Sequence, residues 1–164
     1  MRWHLSYRAD RAVSAMADRH YSRRSVGAVQ FVPPGACVVL RSLCGLAGWV
    51  TLKQLPEFVH HHWPHAWNNS LFRNEGAGLS SELIREAVAA TLAEWPQPPR
   101  QGIVTFVDPA RVRHKRDPGR CYLRAGFRSV GTTRSGLLAL QLLPADMPAP
   151  CAALGAQQRI EMAA

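Results

Sequence analysis

The sequence predicts a mixed α/β (α+β) domain whose central sheet is mostly antiparallel, with one parallel strand–helix–strand crossover. Three observations carry this prediction. Short apolar runs of strand length, bounded by Gly and Pro, recur along the chain. One long stretch, Leu79, Leu83, Ile84, Ala87, Val88, Thr91, Leu92 and Trp95, repeats at helical spacing. Strand-like segments flank that helix on both sides, at 67–72 and 103–107, and a connection of this length requires a parallel, right-handed crossover.

Taken in order, Trp3, Leu5 and Tyr7 alternate as a first strand, and residues 9–20 read as a helix with Ala12, Val13, Met16 and Ala17 on one face. The apolar runs 28–32 and 37–40 flank Pro33-Pro34-Gly35, a turn signal, and are expected to pair as a hairpin. Residues 46–52 continue the antiparallel sheet, and the His- and Pro-rich stretch 53–65 reads as a loop or short helix. After the main helix, which stops before Pro96, comes the strand Ile103-Val104-Thr105-Phe106-Val107. Asp108 stands at its carboxyl end, the edge where open α/β sheets place ligands. A short helix over 117–125 and closing strands at 127–132 and 137–142 complete a single domain of residues 1–143, and the Pro/Ala-rich tail 144–164 is expected to be loosely attached.

With 164 residues the chain is the size of one domain. No stretch approaches the ~18 apolar residues of a membrane span and no signal-peptide pattern is present, which predicts no membrane partner and a cytoplasmic protein, in the host cytoplasm if phage-encoded. Cys37, Cys44, Cys121 and Cys151 lack metal or disulfide spacing and are expected to be reduced and mostly buried.

Arg73-Asn74-Glu75-Gly76-Ala77-Gly78 has the form R-x-x-G-x-G and lies between a strand and the main helix. Its glycines permit close backbone approach to an anion, while the unpaired N–H groups and positive dipole end of the following helix favour a linked diphosphate. The spacing matches neither a dinucleotide-binding fingerprint nor a P-loop, which disfavours NAD and ATP.

The net charge is +9, and the basic residues cluster. Arg113, Lys115, Arg116 and Arg120 lie in one group and Arg23 and Arg24 in another, a pattern expected of contact with a polyanion such as DNA. Charge of this kind carries phosphate affinity without sequence specificity. Trp49, Trp63, Trp67 and Phe72 could stack a base extruded from the duplex.

This order of elements, with the glycine motif before the main helix and Tyr122-Leu123-Arg124-Ala125-Gly126-Phe127 matching a Y-x-x-x-G-F segment, resembles the GNAT superfamily of acyl-CoA transferases. The resemblance covers residues 28–142 and implies a GNAT-like sheet with splayed middle strands. It also implies an acetyl-CoA or other acyl-CoA donor held by Arg73, Asn74, Gly76, Ala77, Gly78 and Leu79, and Tyr122 as general acid to the departing thiolate. GNAT proteins are often dimers, so a homodimer is a further expectation.

A narrower resemblance rests on His20-Tyr21-Ser22, Leu71-Phe72-Arg73, Ser80-Ser81, Phe106-Val107-Asp108 and Gly119-x-x-Tyr122. Together these are similar to the Mom-type DNA-modification proteins of bacteriophages, GNAT-like enzymes that hypermodify adenine at its exocyclic nitrogen. By that similarity His20, Tyr21, Arg73, Ser81, Asp108 and Tyr122 would line the reaction centre. The carbamoylmethyl unit associated with that group is not what transfer of a simple acetyl carbonyl yields, so the donor stays open.

Two other functions remain: an ordinary N-acetyltransferase acting on a small or protein amine, and an inactive basic nucleic-acid-binding module. His60-His61-His62-x-x-His65 is the visible metal candidate, since imidazoles at close spacing suit zinc, iron or nickel. A catalytic metal such as iron, with His20 and Asp108 among its ligands, is the other metal expectation. Neither set is assigned as a metal site.

Overall fold

The computed structural model describes residues 1–112 and 117–155. Among these, one seven-stranded sheet is built from β1 (Trp3–Ser6), β2 (Gly35–Ser42), β3 (Ala47–Gln54), β4 (Trp67–Asn74), β5 (Ile103–Val107), β6 (Arg128–Thr132) and β7 (Leu138–Leu142). The order across the sheet is β1-β2-β3-β4-β5-β7-β6, and every neighbouring pair is antiparallel except β4 and β5. Among the described residues the α-helices are α1 (Arg11–Asp18), α2 (Ser80–Glu94), which forms the crossover between the parallel strands, and α3 (Arg120–Arg124).

Helices cover both faces of the sheet. On one face α2 places Leu83, Ile84, Ala87 and Val88 against Trp3, Leu40, Trp49, Ile103 and Leu142, and α3 adds Tyr122. On the other, Val13, Met16 and Ala17 of α1 pack on Val39, Val50, Leu52 and Leu71. Double coverage explains why β3 is buried at six successive positions rather than alternately. Each large apolar side chain buried this way contributes about 1.5–3 kcal/mol. Asp10 starts α1 by accepting the N–H groups of Ala12 and Val13.

The feature that shapes the middle of the sheet is a bulge in β4. Val50 pairs with Leu71 and Thr51 with Asn69, which leaves Ser70 as an extra residue without a partner on β3. Because of it Asn69 and Phe72 both face α2, while Leu71 faces α1. Pairing of β4 with β5 runs only from Trp67 to Asn69, matched to Ile103 through Thr105. Beyond that point β4 keeps only β3, and β5 keeps only β7, so the strands part.

Three expectations require correction. Residues 28–34 form no strand; the hairpin partner of β2 is β3. The carbonyl of Ala28 accepts from Ser14 and Arg23, that of Gln30 also accepts from Arg23, and Pro33-Pro34 contributes no N–H donor, so the segment has few groups left for a ladder. The tail up to residue 155 is docked rather than loose: Cys151 N–H bonds Ala89 O, and Leu154 exchanges backbone bonds with Trp3 and Leu5, covering the β1 edge. Of the four cysteines, Cys44 and Cys151 are exposed and Cys37 and Cys121 half-buried, so they are not mostly core thiols. Among the described residues no helix is long and apolar enough to cross a membrane.

Candidate functional site

A cleft of about 800 Å³ opens where β4 and β5 part. Its walls are the start of α2 (Gly78, Leu79, Ser80 and Ser81), β4 from Asn69 to Asn74, Thr105 to Val107 of β5, the α3 segment with Gly119 and Tyr122, and residues 19–22 after α1. Arg19, Arg73, Arg111, Arg120 and Arg124 give it a basic lining, with Asp117 as its acid. Asp117 already pairs with Arg120 at 2.8 Å.

The glycine loop is organised by Asn74. Its Oδ1 accepts the N–H groups of Gly76 at 3.1 Å and Ala77 at 2.9 Å, and its Nδ2 donates to Gly78 O and Ser80 Oγ, both at 2.8 Å. Two of the amides expected to grip a diphosphate therefore donate inside the loop, and neither Gly76 nor Ala77 lines the cleft. The loop depends on glycine, since Gly76 and Gly78 adopt φ of +119° and +134°. No side chain caps α2; within its first turn the Glu82 N–H donates to Leu79 O, which leaves the N–H groups of Ser80 and Ser81 as main-chain donors at this end of the cleft.

Arg73 donates through Nε to Glu75 and through Nη1 to Arg19 O, each at 2.8 Å. Hydrogen bonds from Arg19, then Arg73, hold the Glu75 carboxyl down at about 2. His20 stacks on Tyr21 at 4.3 Å. Burial, reinforced by the charge of Arg73, lowers the His20 imidazole from 6.5 to about 4, so it is neutral at physiological pH. Ser22 sets its tautomer: the Ser22 N–H donates to Nδ1 at 3.3 Å and Ser22 Oγ lies 2.7 Å from the same nitrogen, which leaves the ring proton on Nε2. Burial raises the Tyr21 phenol, whose oxygen accepts the Asp108 N–H at 3.3 Å.

Tyr122 sits at the floor of the cleft, 7% exposed. Its hydroxyl donates to Asn69 Oδ1 at 2.6 Å, and its ring meets Phe72 and Phe127 edge-on. Burial pushes the phenol well above its usual value, and nearby Cys121 adds to the effect. Gly119 sets the entry to α3 with φ +79°. A Cβ there would stand 2.7 Å from Leu140 Cδ1, which would have to shift, and the left-handed backbone itself favours glycine at this entry.

The structure thus gathers Arg73, Asn74, Gly78, Leu79, Ser81, His20, Tyr21 and Tyr122 around one cavity. Asp108 is not on its wall; its Oδ1 closes a turn by accepting the Ala110 N–H at 2.9 Å. Arg23 is spent on Asp18 and on the carbonyls of Ala28 and Gln30, which takes it out of the phosphate-contacting set, whereas Arg24 is exposed. Arg113, Lys115 and Arg116 lie outside the described residues. Of the aromatic residues proposed for stacking, Trp49 and Trp67 are core residues at 0% and 4% exposure, and Phe72 faces the cleft. Trp63 packs with His61 against Phe106, which also borders the cleft.

In the histidine-rich loop, His61 accepts the Trp63 N–H at Nδ1 and its Nε2 meets Gln54 Oε1 at 3.0 Å, so both ring nitrogens are engaged. Among the described residues no three His, Cys, Asp or Glu side chains converge as a metal site. Asn69 and Thr105 are the site residues that sequence reasoning missed. The available signal was the polar pair Asn68-Asn69 inside an otherwise strand-like segment. Comparison with protein-family models, with curated proteins and with solved structures finds no match to this chain.

Proposed function

We propose that the chain is a GNAT-type transferase that moves a substituent from a diphosphate-bearing donor, an acyl-CoA or a related thioester, to an amino group of a nucleobase in DNA. One observation carries the reading: a continuous basic cleft runs from the uncapped start of α2, through the gap between β4 and β5, to Tyr122, His20 and Tyr21. A donor laid along it would have its phosphates at the helix start and near Arg73, and its reactive end between the parted strands. An acyl-CoA would supply a carbonyl carbon activated by a thiolate leaving group. The amine attacks that carbon, the C–N bond forms as the C–S bond breaks, the amine gives up a proton and the thiolate gains one.

His20 is neutral and within reach of a proton arriving through Ser22 Oγ, which also lines the cleft. A value near 4 keeps the ring in its proton-accepting form but makes it a weak base, suited to take the proton once attack on the donor has made the amine acidic. The net charge of +9 and the arginines of the cleft favour a polyanionic acceptor. A small cationic amine would instead call for unpaired carboxylates, and the acid on the cleft wall is paired with Arg120. The deciding experiment expresses the protein in a bacterium, hydrolyses its DNA and weighs the nucleosides by mass spectrometry. A new nucleoside that disappears in His20→Gln and Tyr122→Phe supports the reading. Unmodified DNA beside acetylated free amines replaces it with small-molecule acetyl transfer.

A further inference from the structure

The Asn69 side chain is the most constrained polar group in the cleft, and its constraints fix what Tyr122 presents to a ligand. Its Nδ2 donates to Val50 O at 3.0 Å and to Leu71 O at 2.8 Å, two main-chain carbonyls on either side of the β4 bulge. Turning the amide over would press its oxygen against both carbonyl oxygens, so the orientation follows from the network. Oδ1 must then face Tyr122, and an amide oxygen only accepts. Thr105 Oγ1 lies 3.2 Å from Asn69 O, 3.3 Å from Oδ1 and within hydrogen-bond reach of the Tyr122 oxygen, so its one proton is shared among these acceptors and leaves the phenol oxygen a further lone pair. The Tyr122 proton, at 2.6 Å, is the short and direct bond to Oδ1.

A phenol has a single proton to give. We propose that Asn69 is a positioning residue that commits the Tyr122 proton to the protein, so that the phenol oxygen faces the cleft as a hydrogen-bond acceptor for an N–H group of the ligand rather than as a proton donor. The exocyclic amino group of a base or an amide of the donor has the matching N–H. This inference rests on the proposed reading for the identity of the ligand, and on the network alone for the direction of the proton. The buried, weakly acidic phenol is consistent with it, because giving up its proton would leave a phenolate facing the Asn69 oxygen.

The test labels the ligand-free protein at tyrosine and asparagine and observes the Tyr122 hydroxyl proton by NMR, with Tyr122→Phe for assignment. A slowly exchanging hydroxyl signal with a through-space contact to the Asn69 side chain is expected, lost in Asn69→Leu and kept in Thr105→Val. A hydroxyl that exchanges with bulk water, or shows no contact with Asn69, overturns the proposal even if Asn69→Leu does not fold. In turnover, replacing Tyr122 with a more acidic fluorinated tyrosine should leave the alkaline limb of the pH–rate profile in place and raise KM several-fold. A limb that moves down with phenol acidity would restore the proton-donor role. Titration with coenzyme A separates the two ideas: failure to bind removes the donor reading, while the hydroxyl signal still decides the direction of the proton.

Discussion

Arg19 and Glu75, 56 residues apart in the chain, meet at 2.6 Å across the rim of the cleft. Arg73 shares the same carboxylate and also donates to Arg19 O, so the end of α1 and the glycine loop are clasped together. Both side chains are substantially hydrated, and such pairs contribute little to folding. On the proposed placement of the donor's phosphates at the start of α2, their effect on the ligand is larger, because Glu75 neutralises two guanidinium groups beside that position. Glu75→Gln should therefore strengthen coenzyme A binding roughly three- to tenfold at low salt and steepen its salt dependence, with little change in the melting midpoint. Calorimetric titration at two salt concentrations checks this; weaker binding in the variant would make the clasp itself the requirement.

The same carboxylate predicts an acid limit. Glu75 titrates at about 2 when folded against an ordinary value of 4.5, so its contribution is fully present above pH 4.5 and is lost as pH falls toward 2. Replacement by Gln should remove that component, a small one because the pair is hydrated, from the acid-unfolding curve.

His20 gives a second, separable pH window. Its folded value of about 4 lies below the ordinary 6.5, so between these limits the unfolded chain binds the extra proton. Stability is thus complete above pH 6.5 and declines as pH falls toward 4. His20→Gln should flatten this interval, and NMR titration of the His20 ring should report a midpoint near 4. In Arg73→Gln the midpoint should rise only partway, because burial is the larger cause.

Parts of this arrangement are legible in the chain because they follow local periodicity. The helical stripe ending at Trp95 appears as α2, and the apolar run at 103–107 appears as β5, since each buries one continuous set of side chains. Gly119 and Tyr122 are likewise visible as a pair. Asn69 is not, because its meaning depends on a register shift against β3 and on a hydroxyl 53 residues away. Asp108 reads in the chain as a carboxylate at a strand end, whereas only the fold shows that its Oδ1 goes to the turn that follows and that it stands off the cleft wall. Arg23 counts toward a basic patch in composition, whereas folding spends it on Asp18.

Gly119→Ala should weaken the link between α3 and the sheet. The left-handed backbone costs a non-glycine residue about 1–2 kcal/mol, and the new methyl also meets Leu140. Chemical denaturation should show at least that loss. Since α3 carries Tyr122, the variant should also disturb the Tyr122 hydroxyl signal while the core around Trp49 and Ile84 stays intact.

The bulge at Ser70 lies where β4 leaves β5, and deletion tests whether it opens the gap. Without Ser70, Asn69 would be followed by Leu71 and then Phe72, and side chains would still alternate toward α2, α1 and α2, as they do now. The deletion therefore keeps every apolar residue on its present face and removes only the bend. The sheet should survive, with a far-ultraviolet spectrum like that of the parent. With a regular ladder, the carbonyls of Val50 and Leu71 would pair with main-chain N–H groups, Asn69 would lose its two acceptors, and β4 could continue alongside β5 past Thr105. Coenzyme A affinity should then fall by roughly tenfold or more, about 1.4 kcal/mol, in a protein that remains folded. A deletion variant that binds as tightly as the parent would show that the strands part for another reason, such as the seating of Tyr122 between them.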